Sequence, residues 1–293
     1  MLVACDRTPE VRPLLYSVSY GKAFVGHVLG TIHYGASLAG HDAQAVNALV
    51  SKSRRLLVER DLRDRAFQAS FEAAIARPFV RQSWAQVVGT NGLAAVANLG
   101  KRIGVDPLGA SPAQMHPLLL AGMALRQCDP PDLKAGISMD ADLQAQAAKA
   151  GVSVQALESA EEAAEAIAAV PPAAWAEYVI QADRFIGPSC TAPTADYIAA
   201  TIHAYGSGDA AGVRVASLRM HQHSSLATVH TPMIYAREPR LATRIVSHFR
   251  EAATQGGGPI FVTVGAAHLA DQGGVLGQLR RAGFSVQLEA VTP

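Results

Sequence analysis

Ala23-Phe-Val-Gly-His-Val-Leu-Gly-Thr-Ile-His33 is an apolar, β-branched and aromatic run that ends on an imidazole. Its composition predicts a strand. Upstream, Leu14-Leu-Tyr-Ser-Val-Ser-Tyr20 is a second β-rich run, and Gly21-Lys22 between them predicts a hairpin or strand pair. Downstream, Ala45, Val46, Leu49 and Val50 form the apolar stripe of a helix over about His41 to Ser53. Next comes Arg55-Leu-Leu-Val-Glu-Arg60, a short continuous apolar run of the kind a buried parallel strand carries.

The end of the chain repeats this β/α rhythm. Gly258-Pro-Ile-Phe-Val-Thr-Val-Gly265 reads as a buried strand, Gly274 to Ala282 as an amphipathic helix, and Phe284-Ser-Val-Gln-Leu-Glu-Ala290 as a final alternating strand. The middle is helical and alanine-rich, with breaks at Pro78, Gly89, Gly104 to Pro107, Cys128 to Pro131 and Gly151. Ser111 to Arg126 reads as one helix with Pro112 in its first turn. Ser159-Ala-Glu-Glu162 has capping-box spacing before another helix, and Val152 to Leu157 is a candidate short strand. Further helices are expected over Ala173 to Phe185, Thr194 to Tyr205 and after Pro239. The fold class expected is α/β: a single mixed or mostly parallel sheet formed by the N- and C-terminal strands, with a large helical insertion. One domain is expected over residues 1–293, its core strands within about 12–62 and 256–293 and the insertion over about 64–255.

With 25 basic and 24 acidic side chains the charge is balanced, so no electrostatic footprint for nucleic acid or anionic lipid is present. Every alanine-rich stretch is interrupted by acids, Gln, Pro or Arg, and no membrane span is expected. Cys5, Cys128 and Cys190 are odd in number and far apart, which predicts isolated thiols, not a disulfide framework or metal site. Met1-Leu-Val-Ala-Cys5 resembles the end of a bacterial lipoprotein signal without its charged and apolar regions. A truncated signal would imply a periplasmic or lipid-anchored protein, and an accidental match a cytoplasmic one.

Three polar residues fall where strands are expected to end: His33, Glu59 and His268. Ligands of open α/β sheets bind outside the carboxyl ends of the strands. Gly30 and Gly265 stand three residues before the two imidazoles and allow a turn or a close backbone approach. The spacing alone is weak, since 25 glycines and 10 histidines give about one chance case. If the strands are neighbours, the three side chains converge. Two imidazoles and a carboxylate suffice to hold a divalent ion with open positions, and such an ion acidifies water and polarises a carbonyl. Alternatively Glu59 acts as a general base without a metal bond.

Val28-Leu-Gly-Thr-Ile-His33, Leu57-Val-Glu59-Arg-Asp-Leu62, Phe261-Val-Thr-Val-Gly-Ala-Ala-His268-Leu269 and Gly273-Gly-Val-Leu-Gly-Gln-Leu-Arg-Arg-Ala-Gly-Phe284 together resemble the TraB/PrgY/GumN family, to which the Tiki proteases are related. Landmarks between them fit in order: Asp140-Ala-Asp-Leu143, Ala156-Leu-Glu158-Ser159, Tyr205-Gly-Ser-Gly-Asp209 and Ala236-Arg237-Glu-Pro-Arg-Leu-Ala-Thr-Arg-Ile245. The likeness runs from about Tyr16 to Val291. It implies an active constellation of His33, Glu59 and His268, with Arg237 as a fourth member. For the Tiki relatives it implies a metal-dependent peptidase, here with a divalent ion that could be manganese, cobalt or zinc. An arginine at this point could neutralise Glu59, or bind a substrate carboxylate or a tetrahedral oxyanion. Two departures stand out. The Asn that usually follows the family arginine is Glu238, and Gly136 lies four residues before Asp140.

The expected function is therefore a metal-dependent hydrolase, in first place a peptidase, acting on a peptide or small-molecule substrate. The alternative is a non-catalytic peptide- or ligand-binding protein using the same cleft, as in the pheromone-shutdown branch of the family or in haem-holding α/β folds. No serine-nucleophile elbow, Walker loop, dinucleotide fingerprint, helix-turn-helix or zinc-finger pattern occurs. His221, His223 and His230 read as a solvated surface, and Trp84 and Trp175 as packing residues. Nothing in the sequence addresses oligomeric state.

Overall fold

A computed structural model describes residues 13–32, 40–128, 138–187, 200–219, 228–229, 231–270 and 273–289. His33, Cys5, Cys190 and the His221/His223/His230 group lie outside these residues, as does the first part of the helix expected from Thr194.

The first two strands, β1 (Leu15–Tyr20) and β2 (Ala23–Thr31), form the expected antiparallel pair. Gly21 makes the turn between them at φ 59°, a left-handed conformation that costs a glycine little. Helix α1 (Gly40–Ser51) leads to β3 (Arg55–Val58). Near the end of the chain, β5 (Ile260–Gly265) and β6 (Phe284–Leu288) flank a short helix. Between β3 and β5 the strand expected over Val152–Leu157 is present as β4 (Ser153–Ala156).

These strands make one six-stranded sheet in the order β4-β3-β5-β2-β1-β6. The pairs β4·β3, β3·β5 and β5·β2 are parallel, while β1 is antiparallel to both β2 and β6. The fold is thus the expected α/β class with a mixed sheet. Every residue of β5, and of β2 from Val25 onward, is buried, which explains why both strands read as continuous apolar runs.

The helices of the middle are α2 (Arg65–Ala76), α3 (Trp84–Ile103), α4 (Pro117–Arg126), α5 (Met139–Lys149), α6 (Ala160–Ala168), α7 (Pro172–Ile186) and α8 (Ala210–Arg219), followed by α9 (Glu238–Gln255) and, after β5, α10 (Val275–Arg281). Two apolar clusters result. One centres on the sheet and includes Val46 of α1, Leu143 of α5, Phe249 of α9 and Leu276 of α10. The other joins α2, α3, α4, α6 and α7 around Val96, Leu120 and Trp175. The stretch 64–255 is therefore not wholly apart from the sheet, since β4, α5 and α9 arise within it and pack on the sheet's own core.

Local details follow the sequence in most places. Ser159 and Glu162 form a capping box at the start of α6, and α3 kinks at Gly89, whose φ is 66°. Two expectations need correction. The helix expected from Ser111 begins at Pro117, with His116 as its cap at φ −54° and ψ 139°. A residue before proline is driven out of the helical region, so Pro117 and not Pro112 sets the start. Cys128, expected to be an isolated thiol, is disulfide-bonded.

Candidate functional site

The register of the sheet brings the expected strand ends together. β5 lies between β2 and β3, with Thr31 opposite Gly265 and Val58 opposite Thr263. Gly30 permits this proximity: a Cβ there would lie 2.5 Å from Leu269 Cδ1 and 3.2 Å from Ala266 Cα. Two long-range hydrogen bonds hold the end of β2. Tyr205 donates its hydroxyl to the Gly30 carbonyl at 2.7 Å, and Thr31 donates to Asp140 Oδ1 at 2.7 Å. The family landmarks at Asp140 and Tyr205 thus serve to fasten this strand.

Glu59 follows the last residue of β3, and its Oε1 accepts the amide hydrogen of Gly265. Beyond Gly265 the chain turns once through a 3₁₀ segment, Ala266–His268, which carries the imidazole back toward β3. Both side chains are buried, and His268 Nε2 lies 3.9 Å from Glu59 Oε2. Two of the three expected residues therefore meet. The third, His33, lies outside the described residues.

Arg237 joins them from the start of α9. Its Nη2 donates to Glu59 Oε2 at 2.8 Å, its Nε donates to Glu158 Oε2 at 2.9 Å, and its Nη1 donates to the Met233 carbonyl at 3.2 Å. Nη2 also contacts Glu158 Oε2. Burial alone would lower the Arg237 pKa, but Glu59 and Glu158 outweigh it and the guanidinium is raised above its ordinary range. Glu158 has a fully buried side chain and receives a second cation, Arg240, at 2.7 Å. Charges this buried persist only when paired, because an isolated one would cost several kcal/mol, on the order of the whole stability of a domain.

Glu158 was not among the expected site residues, although it stands where they do. The Leu157 and Glu158 amides donate to the Val58 and Glu59 carbonyls, at 2.7 and 3.3 Å, so the ends of β4 and β3 run side by side. The signal was available in principle: a carboxylate directly after a strand. It was masked because β4 is a short edge strand with alternating burial and not an apolar run.

On the other side of His268 stands Glu238, the residue that departs from the family pattern. It is buried, its Oε1 lies 3.4 Å from His268 Nδ1, and Arg214 pairs with it from α8. Arg214 is itself held over the Tyr235 ring at 4.5 Å. Arg60, next to Glu59, lies over the Phe71 ring at 5.4 Å. Burial pushes its guanidinium down, against the pull of Glu59. A cavity of about 400 Å³ opens nearby, lined in part by Gln155, Glu158, Ser159, Arg244 and His248, and it reaches Glu158 but neither Glu59 nor His268.

Whether these residues suit a metal can be judged from the donors. Nε2 of His268 and Oε2 of Glu59 lie 3.9 Å apart, close to the limit of two bonds of about 2 Å, so the pair reaches one ion when the two side chains draw slightly closer. Among the described residues no group of three His, Cys, Asp or Glu has the geometry to hold an ion by itself. A third donor would have to come from elsewhere in the chain.

Comparison with known proteins adds one finding. A sequence model described as the TraB/PrgY/gumN family matches residues 14–288. No curated protein and no solved structure matches the chain.

Proposed function

Because the chain belongs to the TraB/PrgY/gumN family, we propose that it is a metal-dependent hydrolase acting on peptide bonds, with its reaction centre at Glu59 and His268. The observation that carries this reading is the buried Glu59–His268 pair, 3.9 Å apart, at the carboxyl ends of neighbouring parallel strands. Binding sites of open α/β sheets lie at such ends.

Glu59, His268 and His33 would hold the ion, which when bound supplies Lewis acidity and an acidified water. Glu59 is oriented by the Gly265 amide and by Arg237, one donor on each carboxylate oxygen. Arg237 has most of its five N–H groups engaged by Glu59, Glu158 and Met233. That supports the first of the three roles open to it: neutralising and positioning Glu59, not seizing a substrate carboxylate.

The test is divalent-ion uptake and peptide hydrolysis by the purified protein and by Glu59→Gln, His268→Ala and His33→Ala. About one ion per chain is expected in the wild type, with ion binding lost and turnover reduced by at least ~100-fold in each variant. A wild-type protein that takes up no ion at stoichiometric level, and variants that cleave as fast as it does, would end this reading. A peptide bound by the metal-free protein and recovered intact would instead favour the non-catalytic alternative.

A further inference from the structure

Arg237 and Glu238 are consecutive at the start of α9, yet they face opposite ends of the same pair: Arg237 reaches Glu59, and Glu238 approaches the far nitrogen of His268. The result is a line of alternating charge, Arg214, Glu238, His268, Glu59, Arg237, Glu158, in which the imidazole is the one member without fixed charge. Nδ1 of His268 is buried and has no hydrogen-bond partner among the described residues, since the 3.4 Å contact to Glu238 lacks hydrogen-bond alignment. An orphaned ring nitrogen this close to a buried carboxylate needs only a small side-chain rotation to be satisfied. Contacts of reaction centres commonly tighten in this way when the site is occupied.

We infer that Glu238 is a positioning residue: it accepts the Nδ1 hydrogen of His268 and so fixes the tautomer whose Nε2 lone pair faces Glu59. Both ring nitrogens face carboxylate acceptors, but Glu238 lies within hydrogen-bond reach of Nδ1 at 3.4 Å whereas Glu59 stands 3.9 Å from Nε2, so the ring hydrogen belongs on Nδ1 and the Nε2 lone pair on the Glu59 side. Glu238 in turn cannot swing away, because Arg214 holds its carboxylate from α8 and Tyr235 holds Arg214. A carboxylate on the outer nitrogen of a ligating histidine sets its orientation and raises its basicity. The inference rests on the reading of Glu59 and His268 as a reaction centre, but its primary measurement does not.

That measurement is the ¹⁵N spectrum of the His268 ring in metal-free full-length protein, assigned by its loss in His268→Gln, at a pH where the ring is neutral. The wild type is expected to show a single tautomer protonated at Nδ1. Glu238→Ala is expected to show a mixture, and Glu238→Gln, which keeps an acceptor oxygen, to retain the Nδ1 form. A wild-type ring carrying its proton on Nε2, or both protons throughout the accessible pH range, overturns the inference without recourse to any variant that might fail to fold. So does an unchanged spectrum in Glu238→Ala. In ion binding, Glu238→Ala is expected to lose roughly 10–100-fold in affinity and Glu238→Gln to recover most of that. Protein that shows the Nδ1 tautomer but takes up no ion would sink the hydrolase reading alone, and protein that takes up an ion with Nε2 protonated would sink this inference alone.

Discussion

Among single residues, His116 shows most clearly how burial sets chemistry in this chain. Its Nδ1 accepts the Leu118 amide at 3.0 Å as the cap of α4, so its hydrogen sits on Nε2, between the Phe79 and Trp175 rings whose centroids lie 5.0 and 4.9 Å away. Protonating Nδ1 would break the cap and put a charge among aromatic rings. Burial accordingly lowers its pKa to about 4. The unfolded chain takes up this proton near pH 6.5 and the folded chain only near 4, so the contribution to stability is complete above about pH 6.5 and is lost as pH falls toward 4. Denaturant unfolding at pH 7 and at pH 4.5 should show an acid loss about 2 kcal/mol smaller in His116→Asn than in the wild type. Asn caps without titrating, and the other groups titrate alike in both proteins. Equal acid losses would mean that His116 is not held neutral. The same scale shows why some site residues were hard to read in sequence. Glu59 and His268 follow long apolar runs and stand out, whereas Glu238 is an acid at a helix start, which a helix dipole explains without any site. Only the fold reveals that it is buried against His268.

At the scale of elements, the strands and most helices were legible because their signals are local: apolar runs bounded by glycine, capping boxes and breaks. What local patterning could not supply is adjacency. Nothing in Ala23–His33 or Ile260–Gly265 states that β2 and β5 are parallel neighbours, and the convergence of the site depends on that pairing. Glycines carry the only trace of it. Gly26 pairs with Ile260 at φ 149°, and a Cβ there would lie 1.9 Å from the Ile260 carbonyl oxygen. At Gly30 the closest obstacle is a flexible Leu269 methyl at 2.5 Å. Backbone cannot yield as a side-chain terminus can. Gly30→Ala should therefore cost about 1–3 kcal/mol, and Gly26→Ala more than about 3 kcal/mol, compared by urea midpoints at constant slope. If the two cost the same, close strand packing at Gly26 is not what that glycine provides. The misplaced start of α4 has the same origin: Pro112 and Pro117 both suit a first turn, and only His116, which caps α4, distinguishes them.

The whole molecule raises the question of whether its two apolar clusters melt together. The sheet cluster holds the candidate site, while the helical cluster surrounds Trp175 and includes Cys128 at its edge, just beyond α4. Cysteine spacing could not foretell that Cys128 is disulfide-bonded, since pairing depends on contacts far apart in sequence. Such a bond persists in oxidising compartments. A disulfide acts mainly on the unfolded ensemble, stabilising whichever unit must open to release its loop, typically by about 2–4 kcal/mol. Cys128 belongs to the helical cluster, so reduction, or Cys128→Ser, should lower amide hydrogen-exchange protection in α3, α4 and α7 and leave the most protected amides of β2 and β5 nearly unchanged. A uniform loss across helices and sheet would show a single cooperative unit instead. In that case the ion pairs joining α9 to β3 and β4, through Arg237, Arg240, Glu59 and Glu158, are the structural link that couples the site to the stability of the rest.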